Sequence, residues 1–241
     1  MFQRAIIGYI IIISCCISLA CSKNDSVRPP VITPPAPVAG KTYSASEITA
    51  FKQMTLYATG GIIQWPKKVS FYIVDTGYTY MTKEVDSILQ EMNLLLDTNL
   101  VLTRTNNRTE ADMEIYLTDR NTYLVAEPAA TLQEADYSGL TFLQWSTQGI
   151  VEHGSVFVDM ARTVGDTTAQ YFIMHHEMMH ALGFYAHVTL QDIYSVLYYQ
   201  PQFPLIAGYT AFDKRMMLLL YNPFIKPSMS EAEFNEVIKN L

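Results

Sequence analysis

Beyond residue 21 the chain contains no cysteine. Its three cysteines, Cys15, Cys16 and Cys21, all fall in the first 21 of 241 residues. A domain built from the rest can use neither a disulfide nor a thiolate nucleophile or ligand. Charge is also scarce: Asp, Glu, Lys and Arg make up 16% of the chain, with a net charge of −7. No basic stripe is present, which argues against a nucleic-acid partner. Long internal repeats are absent, so a solenoid or propeller is not expected. Hydrophobic residues reach 49%, enough for one domain of about 200 residues with a sizeable core. Histidine numbers only five, and four of these lie between His175 and His187.

The first 21 residues read as a secretion signal. Arg4 supplies a positive start, and Ala5 to Ile17 form an apolar region too short to be a confident spanning helix. Ser18-Leu19-Ala20-Cys21 follows, then a polar run from Ser22 to Asp25. This resembles a bacterial lipoprotein signal, which implies a lipid on Cys21 and a place in the cell envelope. Cys15, after Ile12-Ile13-Ser14 but with a shorter apolar region, and ordinary signal cleavage without lipid are the alternatives. Residues 22–42 carry five of the eleven prolines and read as a semi-rigid tether. At about 3.1 Å per residue it would reach roughly 60 Å. Residues 43–241 then form a single domain, expected to be monomeric.

Within that domain, residues 44–59 predict a helix and Val69 to Asp75 an alternating strand. Met81 to Leu96 is strongly amphipathic, with Val85, Ile88, Leu89, Met92 and Leu95 at helical spacing. Strands are predicted over 100–105, 111–118, 140–145 and 154–160. A helix capped by Thr167 and Gln170 runs to Leu182 and stops at Gly183. Two C-terminal helices are predicted, over 211–221 and 231–239, the latter capped by Ser230 with Glu233. A sheet covered by two helices is an α+β domain, with a cleft between the sheet edge and the C-terminal part.

The most informative segment is HHEMMHALGFYAH. His176 and His180 stand at i and i+4, on one face of a helix, so both imidazoles can reach one ion. Glu177 lies between them, where a zinc hydrolase carries its general base. Gly183 lets the chain turn back, so that His187 can supply a third nitrogen. Asp192 is the other candidate for that third position. A metal-free helix whose histidines cap the core or face solvent is the bland alternative.

These residues resemble the metzincin superfamily of zinc peptidases, and astacins within it. HEMMHALGFY, from His176 to Tyr185, is close to an astacin active-site segment. Trp65-Pro66, Glu110-Ala111-Asp112, Ser195-Val196-Leu197-Tyr198-Tyr199 and Phe212-Asp213-Lys214 occur in the family's order. The resemblance spans about residues 62–222. It implies a zincin-like α+β fold: a twisted, mostly parallel sheet with an antiparallel edge strand, an active-site helix and a small C-terminal helical subdomain. It also implies zinc held by His176, His180 and His187, Glu177 as base, and Tyr199 as an oxyanion donor. The chain departs from the family in three ways. One extra residue precedes His187, Leu197 stands where a methionine is usual, and the turn follows His180 after about 17 residues.

The implied reaction is endopeptidase cleavage, with an extended peptide paired to an edge strand at Ser155 to Met160. Two other readings stay open. One is a weak or inactive metzincin-like surface protein that binds protein or glycan. The other is a gluzincin whose third ligand is Glu231, Glu233 or Glu236, although no N-E-x-x-x-E pattern supports it.

Overall fold

A computed structural model describes residues 10–11, 43–75, 77–130, 138–190, 193–198, 205–206 and 208–241. The proposed lipid site Cys21, the tether, Asp192 and Tyr199 lie outside the described residues. The elements, in chain order, are β1 (Ile10–Ile11), α1 (Ala45–Thr59), β2 (Lys68–Asp75), α2 (Thr79–Leu96), β3 (Val101–Arg104), β4 (Met113–Thr118), α3 (Arg120–Ala126), β5 (Gly139–Trp145), β6 (Val151–Asp159), α4 (Thr167–Ala181), α5 (Ala211–Leu220) and α6 (Glu231–Ile238). Among the described residues, no helix is long and apolar enough to cross a membrane.

The α+β expectation holds. Strands β5-β6-β4-β2-β3 form a sheet that is parallel except for β5, which runs antiparallel to β6. The two-residue β1, inside the segment read as a leader, pairs antiparallel with the outer side of β5. The expectation that Ser155 to Met160 forms the edge is corrected. Most of that segment belongs to β6, which pairs with β4 on one side and β5 on the other. From Gly154 to Asp159 every residue of β6 is buried, as a strand covered on both faces requires. Strand β5 takes the edge position of the five-stranded sheet.

Register sorts the side chains onto two faces. Phe71, Ile73, Met113, Ile115, Val156 and Val158 face the main core. Helix α2 presents its apolar stripe there, with Met81, Val85, Ile88, Leu89, Met92 and Leu96 buried. Helices α1 and α5 complete this core through Phe51, Met54, Met216 and Leu220. Helix α6 joins it through Phe234, stacked on Phe51 at 5.0 Å. The opposite face carries a smaller cluster of Tyr116, Leu140, Phe142 and Phe157, closed by Tyr123 of α3.

Two local expectations need revision. Helix α4 is capped by Asp166, whose Oδ1 accepts from the Ala169 amide at 2.9 Å, and not by a Thr167–Gln170 box. Gln170 instead donates to the Thr163 carbonyl and accepts from the Tyr80 hydroxyl. The chain leaves Gly165 at φ +83° and so delivers a carboxylate one residue before the expected threonine. Helix α3 is an element that hydrophobic periodicity does not reveal, because seven residues are too few to display it.

Candidate metal centre

Helix α4 carries most of the site. Its hydrophobic asymmetry is weak because it is covered all round: every residue from Met174 to Ala181 is buried. The last carbonyls of such a helix need partners. The Trp65 indole N–H donates to Ala181 O at 2.6 Å, and the Tyr221 hydroxyl donates to Leu182 O at 2.8 Å. Gly183 then turns the chain at φ +109°. A Cβ there would meet the Ile63 carbonyl oxygen at 2.5 Å, so only glycine fits both the backbone angle and the space.

The loop that follows is drawn onto α1. The amides of Tyr185 and Ala186 both donate to the Met54 carbonyl, at 2.5 and 3.1 Å. Beyond His187, the Val188 amide donates to Leu197 O at 2.9 Å. His187 is thus held from both sides, and the extra loop residue is absorbed without losing the approach to α4.

The three imidazoles converge. His176 Nε2 lies 3.2 Å from His180 Nε2 and 3.0 Å from His187 Nε2, and the third separation is 3.3 Å. His176 Nδ1 faces the Val196 carbonyl at 2.7 Å, and His180 Nδ1 faces the Phe184 carbonyl at 2.5 Å. A carbonyl only accepts, so both Nδ1 atoms carry the proton and both Nε2 atoms present a lone pair. Lone pairs at this separation repel unless a cation lies between them. The group could therefore hold a metal ion. Tetrahedral ligation at about 2.0–2.1 Å places ligand nitrogens about 3.3–3.4 Å apart, which these separations nearly match.

Electrostatics keep the group in its ligating form. Burial first, and His187 second, hold His176 down at about 3. Burial alone holds His187 at about 4. Burial, then His176 and His187, keep His180 far below the ordinary value. Unfolded histidine titrates near ~6.5. A depressed folded value means the unfolded chain binds more protons across that window, so stability rises with pH there. The metal-free protein should be most stable above about pH 6.5 and lose stability progressively toward about pH 4. Chemical denaturation of the chelated protein at several pH values measures this; a flat profile from 7 to 4 would contradict it.

The turn at residues 195–198 orients His176, and Asp213 holds that turn. Asp213 is fully buried at the start of α5. Its carboxylate accepts from Ser195 Oγ at 2.5 Å, the Val196 amide at 3.2 Å and the Thr210 amide at 2.8 Å. Burial raises its pKa, against the pull of these hydrogen bonds. Val196 is the residue whose carbonyl fixes the His176 tautomer. Asp213→Ala should cost about 3 kcal/mol, because it strands several buried donors. It should also weaken metal binding by about 10–100-fold. Thermal unfolding and metal titration of this variant test the two effects separately.

His176, His180 and His187 are thus brought together as expected. Glu177 is fully buried, with its Oε2 2.9 Å from Thr141 Oγ1. His175 stays outside the group: its Nδ1 donates to Tyr171 O, and its ring packs edge-on to Tyr209. His153 pairs with Glu127 at 3.1 Å on the other face of the sheet, which raises its pKa. Glu231, Glu233 and Glu236 are engaged elsewhere, with Lys52, Ser230 and Lys239 respectively. Sequence reasoning did not anticipate the roles of Asp213 and Thr141. Only the Thr210–Asp213 capping spacing left a trace of one of them. No family model matches this chain, and no curated protein matches it significantly.

Proposed function

We propose that the protein is a zinc-dependent endopeptidase of the cell envelope, metzincin-like and tethered through a lipid on Cys21. The observation that carries this reading is the convergence of three Nε2 atoms, with those of His176 and His180 left as lone pairs by carbonyl-bound Nδ1 protons. Three neutral imidazoles with no thiolate suit zinc and leave a fourth position open, the pattern of catalytic and not structural sites. When bound, zinc supplies a Lewis acid that makes water nucleophilic at neutral pH and polarises a carbonyl.

The chain's own residues do the remainder. His176, His180 and His187 hold the ion. Glu177, the residue after the first ligand, takes the proton from the attacking water and passes it to the leaving amine. Tyr199 is the candidate oxyanion donor. An extended peptide fits the outer edge of β5, whose backbone accepts antiparallel pairing with Ile10 and Ile11. Edge pairing favours cleavage within a chain over attack at a terminus.

The purified protein should contain one zinc per chain and cleave an unstructured protein such as casein, with both lost on chelation and restored by zinc. Absence of bound zinc after zinc loading would sink this reading. The second reading, an inactive metzincin-like surface protein that binds protein or glycan, draws on the complete burial of Glu177. Zinc retained without hydrolysis would favour it.

A further inference from the structure

Strand β5 shapes the surroundings of Glu177 with two residues unlike the bulky apolar ones that fill most of that sheet face. Gly139 leaves the space: a Cβ there would meet Ile173 Cγ2 at 2.4 Å and Glu177 Oε1 at 2.8 Å. Thr141 supplies a hydrogen bond. Its Oγ1 lies 2.8 Å from the Glu177 main-chain oxygen and 2.9 Å from Oε2. Both partners are fully buried, so no bulk water competes for these contacts. A hydroxyl has one proton and two lone pairs, and it rotates. With one proton shared by two acceptors of the same residue, it ties the Glu177 side chain back to its own backbone and fixes the carboxylate's direction.

We propose that Thr141 is the positioning residue for Glu177, holding the carboxylate in the orientation from which it exchanges a proton during hydrolysis. This rests on the hydrolase reading above. A hydroxyl suits the task better than a fixed N–H donor. Once Oε2 carries a proton it can donate a hydrogen bond to Thr141 Oγ1, while the Thr141 hydroxyl donates to the Glu177 carbonyl, and the proton stays on Oε2 until it passes to the leaving amine. The carboxyl group then needs no displacement between the two halves of the reaction. Gly139 keeps the adjoining space free for Oε1, so the two β5 residues act on the two oxygens of one carboxylate.

Three variants of the full chain test this: Thr141→Val, Thr141→Ser and Glu177→Gln. Valine keeps the shape and β-propensity of threonine, so the fold should survive. The expected result for Thr141→Val is a fall in kcat of about tenfold on labelled casein, with KM and zinc content unchanged. Serine should recover most of the loss, which a purely packing role would not predict. A crystal structure of Thr141→Val should show the Glu177 carboxylate turned away from its position in Thr141→Ser. If Thr141→Val keeps kcat within twofold while Glu177→Gln is inactive, the positioning role is overturned and the hydrolase reading stands. If Glu177→Gln remains active, Glu177 is not the base and the positioning role falls with it; if the zinc-loaded wild type cleaves nothing, the hydrolase reading itself fails. An unmoved carboxylate in the Thr141→Val structure overturns the positioning role whatever the activity.

Discussion

Glu177→Gln should lower kcat/KM by about 1,000-fold while leaving zinc bound and the fold intact. General acid–base catalysis contributes about 10²- to 10⁴-fold, and about 1.4 kcal/mol corresponds to each factor of ten. The substitution is close to isosteric. The glutamine amide oxygen can still accept from Thr141 Oγ1, so the buried contact at Oε2 survives. What disappears is the ability to take a proton. The variant separates two proposed roles, because the nitrogens that could hold the ion belong to His176, His180 and His187. Equal zinc content with lost hydrolysis supports Glu177 as the base. Activity within tenfold of wild type would contradict it, and loss of both zinc and activity would make Glu177 a structural residue.

The second large effect concerns the ion itself. Chelation should lower the melting temperature by roughly 10 °C. At a thousandfold excess of free metal over its dissociation constant, binding adds about 4 kcal/mol. A domain of this size shifts by about 2–4 °C per kcal/mol. The apoprotein would keep three converging imidazoles whose nitrogens approach to 3.0–3.3 Å with nothing between them. His187→Ala is the cleanest mutational form of this experiment. His187 is the least buried of the three, so truncation opens the smallest cavity. Zinc should be lost or bound far more weakly, with near-normal stability once both proteins are compared without metal. Zinc held equally by the variant would move the third ligand elsewhere, with Asp192 the first position to examine.

Much of this arrangement was legible because its signals are local. The amphipathic stripe of α2 and the Ser230–Glu233 capping box each lie within one helical element. The same is true of the i, i+4 pair His176 and His180, which needs only the helix to meet. His187 was readable despite its extra loop residue because Gly183 announces the turn. What pulls the loop into place, however, is the Met54 carbonyl, more than a hundred residues earlier. The misplaced edge strand has a similar cause. Alternation identifies a strand but not its neighbours, and β6 gains its central position only by pairing with both β4 and β5. Thr141 meets Glu177 across 36 residues, and Ser195 meets Asp213 across 18. Such partners are invisible to any window that reads one element at a time. The Asp166 cap was missed for a smaller reason: the positive φ of Gly165 shifts the helix start by one residue.

The grip of α1 and α5 on the ligand loops also sets a timetable. A chain that emerges from a ribosome or a translocation channel N-terminus first presents α1 early, then His176, His180 and His187. At that moment the Val196 carbonyl that sets His176 still lacks its anchor, because Asp213 has yet to arrive. The cradle closes only once Asp213 has emerged. A chain that has not yet reached Asp213 should therefore be a poor competitor for metal.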